Sequence, residues 1–174
     1  MKQTIAFILA AAALILAACT GKGGDTLYGK PFDETRDPAF VYSGKTYSIG
    51  GDVQKMIETL PGEYEYTESL SCMTEGYDKT YDFGYIAIDT VPNESGERIS
   101  RVTITDAKVS TARGIKVGDG REDLVNAYGE AYFEEGPYVV YTKSNDKNEL
   151  SGIKMYFEIE NDKVKGIIIF DPGF

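Results

Sequence analysis

The side chains best suited to covalent chemistry in this chain are the thiols of Cys19 and Cys72, because histidine is absent from the sequence. Without an imidazole, the chain cannot build a Ser-His-Asp or Cys-His catalytic centre or a His-ligated zinc site. It also lacks a phosphate-binding loop, a nucleophile elbow and a paired-cysteine metal motif. We therefore expect no enzyme, no cofactor and no metal ion. A glycosidase-like pair of carboxylates is the catalytic alternative that 28 acidic residues leave open.

The thiol of Cys72 lies between two predicted strands, in a segment of small and polar residues. No lysine or arginine lies within six residues of it, so no positive charge nearby in the sequence activates the thiol. We interpret Cys72 as a half-buried small side chain, which is how free cysteines usually pack. A redox-active or partner-linking thiol is the alternative.

The segment that follows combines aromatic rings with both signs of charge, in Tyr77, Asp78, Lys79 and Tyr81. Tyrosine is favoured in binding surfaces because it offers a large, rigid contact area with a polar tip. Together with Cys72, these residues form the candidate partner-binding site. An ordinary turn, from which Tyr81 enters the next strand, is the alternative interpretation.

Residues 1–18 have the composition of an export signal, with Lys2 followed by the apolar run Ile5–Ala18. That run is shorter than the about 20 residues that span a bilayer. The segment Leu16–Cys19 resembles the lipobox of bacterial lipoproteins. The resemblance implies cleavage before Cys19, diacylglycerol on its sulfur with further acyl chains such as palmitate, and anchoring on the extracytoplasmic side of the bacterial cell membrane. An ordinary signal peptide followed by a chance cysteine is the alternative.

The charge of the chain is strongly acidic, with 18 Lys and Arg residues against 28 Asp and Glu residues and a formal net charge of −10. Nucleic acid is excluded as a partner, because its binding depends on clustered Lys and Arg. An anionic membrane surface would also repel the protein body. We therefore expect the membrane contact to consist of the lipid alone.

The elements that must position these residues include a tether and two short helices. Residues 19–39 are rich in glycine and proline and predict a flexible tether. Two similar segments, Gly44–Gly62 and Gly114–Gly129, each predict a helix. The first helix covers about Asp52–Leu60. The second begins with Asp119 as its cap, and Glu122 completes a capping-box-like pair.

Strand-like runs follow each predicted helix, and their apolar residues alternate with polar ones. After the first helix these runs are Glu63–Thr67, Tyr81–Thr90 and Ile99–Thr105, with Lys108–Thr111 as a short bridge. After the second helix they are Tyr132–Glu134, Tyr138–Lys143, Ile153–Glu160 and Val164–Phe170. The repeated order predicts an internal duplication, with one α/β repeat over residues 40–111 and a second over residues 112–174.

The predicted fold class is therefore α+β, as a tandem of two helix-plus-antiparallel-meander units. The Gly118-Asp119 and Tyr128-Gly129-Glu130 segments resemble the β-lactamase-inhibitor-protein family, which is such a tandem. They also resemble the outer-membrane assembly lipoproteins related to small protein A, which carry one unit. The segment Ser71–Tyr81 is similar to a segment of uncharacterised lipoproteins of low-GC Gram-positive bacteria.

These features predict a non-enzymatic lipoprotein of the cell envelope that binds a protein partner through a sheet surface and loops. Two alternatives remain open at this point: an inhibitor of an extracellular enzyme, and a structural accessory of envelope assembly. The fold does not decide between them, because one fold carries many functions.

Overall fold

The computed structural model describes residues 27–94 and 96–173. The predicted signal peptide, Cys19 and the first part of the predicted tether lie outside the described residues. The described chain is mostly β, with 44% strand and 10% helix. Short runs of alternating apolar and polar residues separated by turn residues favour this content, because each run gives a strand with one buried face.

The described residues form eleven strands and two helices, numbered here in chain order. The strands are β1 (Ala39–Tyr42), β2 (Lys45–Ser48), β3 (Glu65–Leu70), β4 (Tyr77–Asp82), β5 (Ile86–Asn93), β6 (Gly96–Ile104), β7 (Val109–Thr111), β8 (Phe133–Glu135), β9 (Tyr138–Tyr141), β10 (Lys154–Glu160) and β11 (Lys163–Phe170). The helices are α1 (Val53–Thr59) and α2 (Arg121–Tyr128).

The strands form two antiparallel sheets. The smaller sheet has the order β2-β1-β7, and the larger sheet has the order β3-β4-β5-β6-β11-β10-β9-β8. Strands β6 and β11 join the halves of the larger sheet, with Ile104 opposite Ile167 and Arg101 opposite Phe170. The eight strands are therefore one continuous sheet.

The predicted α+β tandem of two helix-plus-meander units is wrong. The described chain has two antiparallel sheets and only two helices, of seven and eight residues. Strands β6 and β11, each predicted to end its own unit, pair with each other, which satisfies two edges that would otherwise lie open. Strand β7, at the predicted boundary between the units, pairs with β1.

The helices lie close to where the sequence predicts them, but the second cap differs. Asp52 caps α1 by accepting a hydrogen bond from the Lys55 backbone N–H at 2.9 Å. In α2 the N-cap is Gly120, whose backbone N–H donates to the Asp123 carboxylate at 3.1 Å. The predicted cap, Asp119, instead accepts from the Lys116 N–H at 2.9 Å and closes the preceding turn. The predicted pair of Asp119 and Glu122 is therefore wrong by one residue.

The core lies between one face of the larger sheet and the remaining elements. Helix α2 packs Tyr128 against Tyr141 and Phe157, with ring centroids 5.1 and 5.3 Å apart. Helix α1 contributes Met56 and Ile57 to the same cluster. These short helices depend on such packing, because isolated helices of their length do not persist in water.

The last part of the predicted tether is packed against the fold. Phe32 and Asp37 are buried, and Asp37 forms a salt bridge with Arg113. Residues 27–38 therefore belong to the folded body, and the predicted tether boundary at residue 39 is too late. Glycine and proline content does not distinguish a mobile tether from an irregular segment that is held by side chains.

Candidate functional site

The predicted site residues lie on and beside the hairpin formed by β3 and β4. Tyr77, Asp78, Lys79 and Tyr81 belong to strand β4, so this segment is a strand and not the alternative turn. Successive side chains of a strand point to opposite faces. The structure therefore divides the predicted residues: Lys79 and Tyr81 lie on the core side of the sheet, and Asp78 lies on the opposite side.

Cys72 lies in the connection between β3 and β4 and is exposed, so its interpretation as a half-buried side chain is wrong. Its neighbours Leu70 and Met73 are also exposed, by 73% and 84%. Tyr77, where β4 begins, is 49% exposed. The hairpin end projects beyond the core, which is why residues of apolar type remain in solvent there.

Lys79 and Tyr81 hold the hairpin to the rest of the sheet. Lys79 forms an ion pair with Glu97 at 3.3 Å. Burial acts to lower the pKa of Lys79, but the hydrogen bond and charge of Glu97 outweigh it and raise the pKa. Tyr81 is buried, and its ring centroid lies 5.4 Å from that of Tyr64 and 5.3 Å from that of Tyr66. These two predicted residues serve the structure of the hairpin.

Asp78 lies on the side of the sheet away from the core, next to Thr80 and Asp89, which are hydrogen-bonded to each other. The Thr80 hydroxyl donates to the Asp89 carboxylate at 2.6 Å. Arg101 lies 4.0 Å from the other oxygen of Asp89. The Oδ1 atom of Asp78 is buried and has no hydrogen-bond partner among the described residues. A buried acceptor without a partner is uncommon and costly, so this atom needs an explanation.

Asp78 is part of a larger surface, which we name the open face. It is the side of the eight-stranded sheet that no helix or second sheet covers in the described part of the chain. The register places one row of residues across all eight strands on this face. From β8 to β3 the row is Phe133, Val140, Tyr156, Ile168, Thr103, Ala87, Asp82 and Glu65.

The open face changes in character from one end to the other. An apolar half lies on β8 to β11 and contains Phe133, Val140, Tyr156, Ile168 and Phe170. An acidic half lies on β3 to β5 and contains Glu65, Asp78, Asp82 and Asp89. Arg101 stands between the halves, 4.0 Å from Asp89 and with its guanidinium 5.6 Å from the ring centroid of Phe170.

The apolar half has ordered aromatic side chains that are only partly buried. Tyr156 and Tyr138 meet edge to face, with ring centroids 5.8 Å apart. Burial raises the pKa of Tyr156, and the charge of Glu135 raises it further, so its phenol stays neutral at physiological pH. A neutral phenol on an apolar surface can pack and also exchange a hydrogen bond with a partner.

Sequence reasoning missed the open face, although one signal for it was present. Strand β11 carries apolar residues at four successive positions, Ile167 to Phe170. A strand with one solvated face normally alternates, whereas consecutive apolar residues indicate that both faces meet apolar surroundings. Ile168 and Phe170 are the members of that run that lie on the open face.

The described residues show no group of three or more His, Cys, Asp and Glu side chains that could hold a metal ion. Neither helix of the described chain is long and apolar enough to cross a membrane. The groups present on the open face form hydrogen bonds, ion pairs and packed rings.

Comparisons with known proteins give little to add to this geometry. No protein-family model matches the chain, and no curated protein matches it significantly in sequence. One similar solved structure is that of the uncharacterized protein yfeY from Escherichia coli, with 16% sequence identity and a TM-score of 0.41. The match covers 72% of this chain and 92% of that chain. A likeness at this TM-score carries no conclusion about fold or function.

Proposed function

We propose that this chain is a non-enzymatic protein-binding module of the bacterial cell envelope, held at the membrane by lipid on Cys19, which binds a partner protein on its open face. The single observation that carries the binding proposal is the eight-stranded sheet with one uncovered face. That face holds half-buried aromatic rings and Ile168, with the fully buried Val140 among them, at one end and carboxylates at the other.

The size of the open face favours a protein over a small molecule. A strand residue covers about 16 Å² of sheet, from a rise of about 3.3 Å and a strand spacing of about 4.8 Å. Eight strands of three to nine residues therefore present about 800 Å². This is the area that each partner contributes to a protein–protein interface of standard size, about 800 Å².

The charge of the face indicates what the partner looks like. The chain has a formal net charge of −10, and the acidic half adds carboxylates at one end of the surface. A partner that fits must place apolar residues over Tyr156 and Ile168 and basic residues over Asp78 and Asp89. A second copy of the same acidic chain would place like charges together, which is unfavourable.

The binding proposal can be tested by substitution at the centre of the apolar half. Ile168→Asp puts a charge where an apolar contact is expected, while Lys45→Glu makes a charge change on the smaller sheet as a matched control. The wild type and both variants should be cross-linked in the native envelope and their bound proteins compared by mass spectrometry. We expect at least one cross-linked protein to be lost with Ile168→Asp and retained with Lys45→Glu.

Cross-linked proteins that are the same for all three chains would contradict binding through the open face, provided that both variants keep the melting temperature of the wild type. The anchor is tested separately. Cys19→Ala should move the protein from the membrane fraction to the soluble fraction, because its lipid supplies the membrane contact. Unchanged fractionation would contradict lipid anchoring, but it would not test whether a partner binds on the open face.

A further inference from the structure

The outermost strand of the larger sheet, β3, has a backbone edge that no other strand among residues 27–94 and 96–173 pairs with. β3 pairs with β4 on one side, and all six of its residues are exposed. The other end of this sheet, β8, has only three residues. An edge of six residues is long enough to act as a template for another strand.

The hydrogen-bond register shows which residues of β3 face outward. The Ser71 N–H donates to the Gly76 carbonyl at 3.0 Å, so these two residues form a hydrogen-bonded pair. In an antiparallel ladder such pairs alternate with non-bonded ones. Residues 65, 67 and 69 therefore bond to β4, and Tyr66, Glu68 and Leu70 direct their N–H and carbonyl groups away from the sheet.

This edge lacks most of the features by which proteins block strand addition. β3 contains no proline and no lysine, and its register with β4 has no bulge. Its charges are the carboxylates of Glu65 and Glu68. These carboxylates disfavour pairing with a second copy of β3 and favour a strand that carries positive charge.

The two faces beside the edge indicate what an added strand would carry. On the core side, Tyr64, Tyr66 and Leu70 are exposed and offer apolar contact. On the open face, β3 presents the small side chains of Thr67 and Ser69, with Asp78 directly behind Ser69. An added strand would lie two strand spacings, about 9.5 Å, from β4.

The position of Asp78 fits a basic strand. Asp78 lies opposite Ser69 on the open face, so a long basic side chain on the open side of the added strand can pass over Ser69 toward the charge of Asp78. A guanidinium suits this task because it presents several donors in a fixed plane.

We propose that β3 binds an extended segment of a partner protein as a ninth strand of the larger sheet, and that this segment alternates apolar residues with arginine or lysine. The inference rests on the proposed function in that the ligand is a protein. Its site is a backbone edge, whereas the proposed function concerns the open face, so the two can fail separately.

The test uses two substitutions at one outward-facing residue. Glu68→Pro removes the outward N–H. Proline leaves the existing ladder intact at such a position, because the N–H of an edge strand that faces solvent bonds to no other strand. Glu68→Gln removes the same charge and keeps the N–H. The probes are two ten-residue peptides, one alternating arginine with valine and one alternating glutamate with valine. Affinity is measured by fluorescence anisotropy with a reductant present, so that Cys72 forms no disulfides.

We expect the wild type to bind the arginine peptide and to prefer it to the glutamate peptide. Glu68→Gln should weaken binding by about two- to fivefold, the effect of one exposed charge pair. Glu68→Pro should weaken it at least about tenfold, because it removes the charge and also the central N–H donor, which leaves a carbonyl of the added strand unpaired. Both variants should keep the melting temperature of the wild type within a few degrees, which shows that the hairpin remains folded.

Equal affinities for Glu68→Pro and Glu68→Gln would overturn strand addition, because both variants lack the charge and only Glu68→Pro lacks the outward backbone donor. Absence of binding to the arginine peptide, or equal binding of both peptides by the wild type, would overturn the basic partner. A wild-type dimer that Glu68→Pro dissociates would show instead that a second copy occupies the edge. Loss of peptide binding in Glu68→Pro but not in Ile168→Asp would separate this site from the open face.

Discussion

The buried ion pair between Arg113 and Asp37 gives the sharpest prediction about stability. Both side chains are fully buried, and the two contacts measure 2.7 Å (Nε–Oδ1) and 2.5 Å (Nη2–Oδ2). The remaining donors of Arg113 bond the carbonyl oxygens of Lys30, Pro31 and Ala127. The guanidinium also lies over the Tyr128 ring, 4.5 Å from its centroid. One arginine therefore fastens the segment before β1 to helix α2.

The perturbation is Asp37→Asn, which keeps the shape of the side chain and removes its charge. A buried arginine without its counter-charge costs about 3–5 kcal/mol. Domains are stable by only about 5–15 kcal/mol, so the loss is a large fraction of the total. At about 2–4 °C per kcal/mol for a chain of this size, the melting temperature should fall by about 6–20 °C. Arg113→Met should cost more, because it leaves the Asp37 carboxylate buried without a counter-charge and removes the donors to the Lys30, Pro31 and Ala127 carbonyls.

The assay is urea unfolding followed by circular dichroism, with a matched control in the same segment. Lys143→Gln breaks the ion pair between Lys143 and Glu34, whose atoms lie 3.1 Å apart, but Lys143 is 73% exposed. We expect this control to cost about 0–1 kcal/mol, the usual value for a surface pair. If Asp37→Asn lowered the free energy of unfolding by less than about 1 kcal/mol, the reasoning would be refuted. Residues 27–38 would then contribute little to the folded body, as the predicted tether requires.

Three further predictions concern other parts of the fold. Cys72 is exposed, so a maleimide should label it in the native protein as fast as a free cysteine, and Cys72→Ser should change stability by less than about 0.5 kcal/mol; slow labelling would contradict its exposure. Leu124→Ala should cost about 2–5 kcal/mol because Leu124 is fully buried, whereas half-exposed Val125→Ala should cost clearly less; equal losses would contradict the orientation of α2. Burial raises the pKa of Tyr85 to about 12. The contribution of its neutral phenol to the free energy of unfolding is therefore complete below pH 10 and is lost as the pH rises toward 12. If the urea midpoint of Tyr85→Phe fell by the same amount over this pH range, other groups would cause the loss.

Much of the local structure followed from the sequence, because local structure depends on nearby residues. The strand-like runs Ile153–Glu160 and Val164–Phe170 located β10 and β11, and Asn161-Asp162 located the turn between them. One error concerns a turn whose signal, Gly84 with a φ of +80° two residues after Asp82, was not used. The predicted strand Tyr81–Thr90 is in fact the end of β4 and most of β5, with a turn at residues 83–85 between them.

The fold class could not be obtained in the same way, because it depends on one contact between residues far apart in sequence. The pairing of β6 with β11 joins Ile104 to Ile167, and neither strand carries a signal that names its partner. Two similar sequence segments are equally compatible with two separate units and with a shared sheet. Only the pairing at the centre distinguishes these arrangements.

The candidate site shows the same limit at the level of single side chains. Composition directed attention to the β3–β4 hairpin as a candidate site, but the strand period separates Asp78 from Lys79 and Tyr81. The exposure of Cys72 depends on how far the hairpin extends beyond the core, which no property of residues near Cys72 encodes. Arg113 gave no signal at all, because its partners lie on segments distant in the chain.

Because the open face has an acidic half and an apolar half, a partner bound there has a preferred orientation. Opposite charge acts over about 8 Å at physiological salt, so Asp78 and Asp89 would attract and orient a basic partner before contact. Apolar burial acts only at contact, so Tyr156 and Ile168 would hold the partner once it is in place. With Asp78 and Asp89 at one end and apolar residues at the other, a partner rotated by half a turn would set its basic groups over Ile168 and its apolar groups over the carboxylates. The arrangement therefore favours one orientation on the sheet, and that orientation brings the basic side of the partner to the free edge of β3.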